Sequence, residues 1–580
     1  MLEEQRPASG AEPVLTGTEA LTATPEPALP HSEAGVSHRG VSHRGVLPAA
    51  RLTGAYRDPV TWVTVLAVFG AYATLSLFRL LQLRPTSWDL GIYTEYVKQY
   101  AHLQTPIVDV RGAGFDLLGD HFQPIVAVIA PFFRVFPSAA TLLVAQALLA
   151  ALSVLAVSQV AREKLGVGPS RAIAVAYGLS WGLQQMIEFD FHEIAFAVPL
   201  LAFSLSALVR GRIKAAVWWA LPLVFVKEDQ GFTVAAIGLY MIIAGLSAKM
   251  PKPTTTAGPD TFDDLADPGT LAGPDPGTLA GPEGFGEHAD PYGLRLRGGQ
   301  FLLIWGFAWS FLAIGVIIPH FNPAHHYDYW SDGGILAPGG HLSVLGLVKQ
   351  LGHAWPDKLQ TVTMLLLPTA FIAVRSPLVL IAVPSLVLRF MSTDSSFWGT
   401  LWHYNATLMP VVFIAAVDAL ARIRAAMDPD APGAFASWAS GRRGPRRAIL
   451  AGAQRYGAAM MLAITIPLAF QFPLSNLWNV QTYRISPQVA AAQAAMAKVR
   501  AGATVQTTLD LLAPLAARTD TFWIGSSGNP RTQYIVFDGR NSDYTPAITN
   551  VPAFIAELYP GHEYTQIFES SDIYVFHRTS

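Results

Sequence analysis

The chain has 580 residues, 51% of them hydrophobic and only 14% charged, with a formal charge of −2 and no cysteine. Soluble chains carry roughly a quarter charged residues, so this composition belongs to a polytopic membrane protein. The absence of cysteine excludes disulfides, thiolate metal sites and thiol nucleophiles, and the near-zero net charge removes any general case for nucleic-acid binding.

Residues 1–58 are rich in Pro, Ala, Gly, Ser and Thr and carry a tandem Gly-Val-Ser-His-Arg from Gly35 to Arg44. They read as a disordered cytoplasmic tail, with His38 and His43 as products of a slipped duplication. Residues 59–248 form a first transmembrane module whose outer loop, 82–138, carries the candidate site. A Pro/Gly-rich cytoplasmic linker, 249–299, repeats Pro-Gly-Thr-Leu-Ala-Gly-Pro at Pro268 and Pro276 and is too short to build a solenoid. A second transmembrane module covers 300–425. A basic linker, 426–447, ends in Arg442, Arg443, Arg446 and Arg447, and a last span occupies 448–472.

A hydrocarbon core of about 30 Å takes roughly 20 helical residues. The apolar runs 60–81, 139–161, 171–187, 192–209, 214–227, 230–247, 300–319, 359–374, 377–391, 405–422 and 448–470 give about eleven spans by that measure. With the N-terminus inside, Arg162, Lys164, Arg210, Arg212, Lys214, Lys249, Lys252, Arg295, Arg297, Arg375, Arg422 and Arg424 all fall in cytoplasmic connections. That is the asymmetry of a plasma-membrane protein. The other side holds acids, His, Trp and Tyr, with scattered Arg84, Lys98, Arg111, Lys227, Lys358 and Arg389. An odd span count puts the C-terminal segment outside. There, 473–580 mixes strand-like Thr521–Gly525, Gln533–Phe537 and Asp572–Phe576 with helix-like 486–500, 509–517 and 551–559, a small extracytoplasmic α/β domain. The expected fold class is therefore mainly α, a polytopic helical bundle with this α/β appendage.

Four outer motifs carry the chemistry. Asp89 follows the first span within Ser87–Tyr93, among Trp88, Tyr93, Tyr96 and Tyr100, which belong at an interface. It is either a helix N-cap or a carboxylate presented to a lipid head group. Asp120 and His121 stand in the same loop, before an amphipathic piece carrying Arg134. Glu188-Phe-Asp-Phe-His-Glu193 places three acids and a histidine beside lipid, where they pair, bind a metal or face a wet cavity. Asp190, His192 and Glu193 are the set for a divalent metal if one is used, although no strict ligand signature is present. Val226-Lys-Glu-Asp-Gln-Gly231 interrupts an apolar stretch, and Lys227 meets Glu228, Asp229 or a substrate phosphate. Finally His320 to Trp330, and Trp398, Trp402, His403 and Tyr404, form either an aromatic belt or the wall of a sugar site.

Trp88-Asp-Leu-Gly-Ile-Tyr, Gly119-Asp-His-Phe-Gln-Pro, Phe189-Asp-Phe-His-Glu, Val226-Lys-Glu-Asp-Gln-Gly and Trp402-His-Tyr together resemble the predicted membrane proteins grouped as domain of unknown function 2079. That group is similar in layout to the glycosyltransferase C (GT-C) superfamily, which takes sugars from polyprenyl-phosphate carriers. The resemblance implies a catalytic base at Asp89, a second acidic position at Asp190 or Glu188, an interfacial helix from His121 to Phe136, and Lys227 as the lipid-phosphate lysine. Two departures stand out: Asp-Leu-Gly-Ile-Tyr replaces the usual adjacent acidic pair, and Gly-Asp-His-Phe replaces His-Pro-Pro.

The scheme that follows has a polyprenyl-phosphate sugar entering from the bilayer, with its phosphate on Lys227 and Arg134. Asp89 serves as base, and Tyr93, Asp120, His121, His192, Glu193, His403 and Tyr404 hold substrate. No nucleotide cofactor is called for, since the lipid phosphate activates the donor. Two readings from other classes stand beside it: a transporter or flippase with intramembrane charges as a relay, and a non-catalytic cell-envelope scaffold.

Overall fold

A computed structural model describes residues 54–249, 291–331, 344–427, 445–524, 526–540, 548–561 and 563–579. Most of the expected tail, both Pro/Gly repeats, and Arg442 and Arg443 lie outside the described residues.

Among the described residues, six helices are long and apolar enough to cross a membrane: Pro59–Leu81, Ala139–Leu165, Gln230–Ser247, Gly293–Phe321, His403–Ala426 and Ala448–Ala469. The other expected spans are helical but shorter or broken. The run 171–187 divides into Val167–Gly178 and Trp181–Glu188. The run 359–374 ends its α-helix at Leu366, and Ala370 and Phe371 then take left-handed backbone, which halts further winding. Glu193–Val209, Ile213–Phe225 and Pro377–Met391 are apolar but fall below the spanning length. Leu408–Val417 is buried without interruption, so its helix is the axis of the bundle.

The two ends of the bundle differ chemically. Asp58 caps the first helix through Val60 N–H and also receives Arg162 at 3.2 Å and Arg171 at 2.8 Å. Arg210 pairs with Glu163 nearby, and Arg424 reaches the carbonyl of Leu165. At the far end of that first helix, Arg79 pairs with Glu188 at 2.5 Å. Basic clusters thus gather at one end and the acid and histidine motifs at the other, as the charge pattern predicts.

Two glycine pairs bring the Gln230–Lys249 and Pro291–Leu312 helices together. A Cβ on Gly231 would lie 2.3 Å from the Gly306 carbonyl oxygen, and one on Gly238 would lie 2.5 Å from that of Gly299. Only glycine permits this approach, the small-residue packing common between helices in lipid. It fixes the loop 226–229, whose Glu228 carbonyl accepts from Ser310 Oγ at 2.6 Å.

The C-terminal segment is a five-stranded sheet of order β2-β1-β3-β5-β4, with β1 at Thr504–Thr507, β2 at Asp520–Trp523, β3 at Tyr534–Asp538, β4 at Tyr564–Ser570 and β5 at Ile573–Arg578. β1 lies parallel to β2 and β3, and β5 is antiparallel to β3 and β4. Helices Pro487–Met496, Leu509–Ala516 and Val551–Leu558 match the expected ones. β1 and β4 escaped the pattern because β1, Thr-Val-Gln-Thr, has a single apolar residue and β4 is largely exposed, with no alternation to reveal it.

This domain seats on the Asp89–Ala101 helix. Gly91 lets Leu512 approach, Trp88 meets Trp523 edge to face at 5.2 Å, and Lys98 Nζ donates to the Thr519 carbonyl at 2.6 Å. Beside this seam, fully buried Glu95 accepts from Val110 N–H at 3.0 Å and lies 3.6 Å from Lys98. Burial pushes its carboxyl up to about 8, against the opposing pull of Lys98 and the Val110 N–H. The folded chain therefore holds a proton that the unfolded chain releases near the ordinary value of 4.5. Stability from this group is fully present below that value and falls as pH rises towards 8, by up to about 1.4 kcal/mol per pH unit. Melting temperatures taken from pH 5 to 9 are expected to fall across this window and to flatten in Glu95→Gln; equal slopes would refute the assignment.

Candidate functional site

A cavity of about 530 Å³ opens at the acidic end of the bundle, within the size range of ligand sites. Asp89, Tyr93, Asp120, His121, His192, Lys227, His403 and Tyr404 all line it, so five sequence motifs spread over more than 300 residues converge. Glu193 lies directly behind the wall, while Glu188, Asp190 and Arg134 do not line it.

Asp89 is the first residue of its helix. Trp88 occupies the cap position, and the Asp89 N–H is taken by Ser87 Oγ at 3.1 Å, so the N-cap reading of Asp89 is corrected. The half-buried carboxylate accepts from Ser87 Oγ at 2.7 Å and has no ion pair among the described residues.

Fully buried Glu193 is the hub behind the cavity. It receives the Tyr93 hydroxyl, contacts His192 Nδ1, and pairs with Lys227 Nζ at 3.3 Å. Tyr93 OH also reaches Gln123 at 2.8 Å. Burial alone would lower Lys227, but Glu193, Glu228 and Asp229 hold it well above its ordinary range. The lysine is thus a fixed cation already matched to an internal acid.

Glu228 has a different task. It takes His121 Nδ1 at 2.8 Å, Phe122 N–H at 3.1 Å and the Tyr327 hydroxyl at 2.7 Å. Burial raises Glu228, but His121, Lys227 and Tyr327 outweigh it and hold the carboxyl down at about 2. His121 is raised in turn by Glu228, over the opposing effects of burial and Lys227. Its ring stacks on Tyr329 at 4.4 Å, and Asn322 Nδ2 holds the preceding loop through the Gly119 carbonyl at 2.9 Å. Asp120 contacts Arg111 at 3.6 Å. Asp229, the third charge of this motif, is pushed up by burial, and among the described residues its carboxylate accepts only from neighbouring Gln230 at 3.1 Å.

Glu188 and Asp190 work outside the cavity. Glu188 pairs with Arg79, and Asp190, held in left-handed backbone at φ 74°, accepts Thr86 N–H at 2.6 Å. Burial pushes Asp190 up to about 6 against Arg79 and that N–H. The two acids therefore anchor the start of the outer loop on the Phe189–His192 turn, a positioning task where the motif pointed to catalysis. Because Asp190 turns to Thr86 while His192 and Glu193 face each other, the three do not fit a metal. Among the described residues no group of three or more His, Asp or Glu side chains could hold one. Arg134 is exposed and donates to the Ala101 carbonyl at 3.2 Å, on a segment whose Phe132, Val135 and Phe136 are also exposed. The arginine that the sequence reading placed on the substrate phosphate therefore lies away from the cavity.

The sequence pattern missed Arg389. It lines the cavity at 7% exposure and donates to the carbonyls of Phe397 and Tyr404 and to Asn405 Oδ1 at 2.9, 3.3 and 3.1 Å. No carboxylate pairs with it among the described residues. Its only sequence signal was a cation against the local charge trend. Fully buried Lys358 braces the same wall, donating to the Gln350 and Phe390 carbonyls at 2.6 and 2.8 Å with Nζ 4.6 Å from the Trp398 ring. The loop 389–405 is thus wound around two cations, and it presents Tyr404 and His403 to the cavity. His403 stacks on His192 at 3.6 Å, and its Nδ1 has no hydrogen-bond partner among the described residues.

Phe232, Ile314 and Leu388 form an apolar part of the lining. Ile314 sits in a π-helical turn, Ala313–Ile317, and Phe232 packs on exposed Phe307 and Phe311.

The fold is similar to that of ArnT from Cupriavidus metallidurans bound to undecaprenyl phosphate, with 14% identity, 90% of this chain and 98% of that chain covered, and a TM-score of 0.45. It is similar also to ArnT in the apo state, at 13% identity, 88% and 97% coverage and a TM-score of 0.44. No curated protein matches the chain. Residues 79–553 match the predicted membrane protein family DUF2079, and the chain belongs to that family.

Proposed function

We propose that the chain is a GT-C-like glycosyltransferase that moves a sugar from a polyprenyl-phosphate donor to an extracytoplasmic acceptor. The observation that carries this reading is the presence on one cavity of Asp89, a carboxylate held among the described residues only by Ser87, and Arg389, a buried cation without a carboxylate partner among the described residues. The apolar patch at Phe232, Ile314 and Leu388 suits the first isoprenes of the lipid, and exposed Phe307 and Phe311 beside it suit a bilayer. In this reading the N-terminus is cytoplasmic and the α/β domain extracytoplasmic, because the basic end of the bundle then lies inside.

In the transfer, the acceptor hydroxyl oxygen attacks the anomeric carbon and Asp89 takes its proton. The bond from that carbon to the phosphate oxygen breaks, and the electron pair leaves on the lipid phosphate. One displacement inverts the configuration. Arg389 steadies the departing charge, and because Lys227 is already matched to Glu193 it contributes mainly field. Protein in lipid nanodiscs, supplied with a polyprenyl-phosphate sugar and a cell-envelope extract as acceptor, is expected to release polyprenyl phosphate in step with sugar transfer. Arg389→Gln should weaken donor binding by about tenfold or more. Donor that stays intact with every sugar and extract tried would refute the reading.

A further inference from the structure

The three charges of Lys227-Glu228-Asp229 are adjacent in sequence, but the fold gives them separate surroundings. Lys227 is spoken for by Glu193, and Glu228 by His121, Phe122 N–H and Tyr327. Asp229 also faces the cavity, yet its carboxylate accepts only from the amide of Gln230 and joins no ion pair among the described residues. Arg389 lies within its electrostatic reach but not in contact. A carboxylate and a guanidinium that share a cavity wall without touching can be bridged by a ligand that is an anion at one end and a hydrogen-bond donor at the other.

We infer that Asp229 and Arg389 are the two ends of a sugar 1-phosphate subsite, in which Arg389 holds a phosphoryl oxygen and Asp229 accepts from a ring hydroxyl. This rests on the donor class proposed above and adds to it a residue that distinguishes the glycosylated lipid from the bare one. A carboxylate suits a hydroxyl, because it is acceptor-only when ionised and forms the stronger, charge-assisted kind of bond. It repels a phosphate, so the sugar and phosphate ends cannot be exchanged. The flanking backbone is secured independently by the Gly231–Gly306 contact and by Ser310, so replacing the carboxylate leaves the loop supported.

The test uses the full chain in lipid nanodiscs, with undecaprenyl phosphate and a set of undecaprenyl-phosphate hexoses and pentoses as probes. Affinities are measured for wild type, Asp229→Asn and Arg389→Gln. Asp229→Asn is expected to weaken the best glycosylated probe by about tenfold while leaving bare undecaprenyl phosphate within about twofold, and Arg389→Gln to weaken both. Retained binding of the bare lipid reports that Asp229→Asn is folded, and a melting temperature close to wild type reports the same for Arg389→Gln. Equal weakening of both probes by Asp229→Asn, or of neither, overturns this inference and leaves the donor reading standing. Wild type that binds none of the lipids overturns the donor reading and the subsite with it.

Discussion

Glu193→Gln is expected to cost about 3–5 kcal/mol of stability, because it leaves Lys227 inside the protein without the acid that neutralises it. The hub also gathers Tyr93 and His192, so the loss spreads to the Asp89–Ala101 helix and the Phe189–His192 turn. Attributing the cost to the ion pair takes a second variant. Removing both partners, as Glu193→Gln with Lys227→Met, should recover much of the loss, since an uncharged pair of similar size pays no desolvation. Thermal unfolding in nanodiscs provides the measurement. A single variant as stable as wild type, or a double variant worse than both singles, would show that Glu193 is not the counter-ion that matters. The double variant is expected to regain its melting temperature without regaining donor turnover, because Lys227 also lines the cavity.

The same residues show what a sequence can reveal. Burial of apolar runs follows from composition alone, so the helical stretches and the basic end of the bundle are legible in the sequence. The motifs that line the cavity were legible because acids and histidines beside lipid are costly and demand a purpose. Their partners were not. Lys227 sits next to Glu228 and Asp229 in sequence but pairs with Glu193, and Glu188 pairs with Arg79 more than a hundred residues away. Hydrophobic periodicity says that a side chain is buried, not which other buried charge it meets. Arg389 is hidden for the same reason: its partners are backbone carbonyls and one Asn side chain, and none of them is an acid whose charge would mark the site in a sequence. Asp190 shows the converse, an acid in a conspicuous motif whose left-handed backbone and Thr86 contact turn it away from the cavity.

Those pairings narrow the choice of base. Glu193, Glu228, Asp120 and Asp328 each have a cationic or histidine partner, Asp394 at the cavity rim accepts from the Ser396 N–H and hydroxyl, and Glu188 and Asp190 are engaged outside the cavity. Asp89 and Asp229 are left, and Asp89 alone of these two stands at the seam with the C-terminal domain, where Trp88 both lines the cavity and meets Trp523. An acceptor arriving from that domain would reach Asp89 first.

Asp89→Asn is therefore expected to reduce sugar transfer by about 10²- to 10⁴-fold, the usual contribution of a positioned general base. Asn retains an oxygen that can accept from Ser87, so the helix start should hold and the melting temperature should stay close to wild type. Donor affinity should change by no more than about twofold, because the base acts on the acceptor proton rather than on the lipid phosphate. The diagnostic pattern is a collapse of turnover with intact binding. Loss of binding in proportion to turnover would make Asp89 a donor ligand, and full transfer by Asp89→Asn would remove it from the mechanism. Asp89→Glu adds a further check, since it keeps the carboxylate but moves it by one methylene. It should recover part of the rate if proton acceptance is the task, and none if the aspartate serves only to order the first turn.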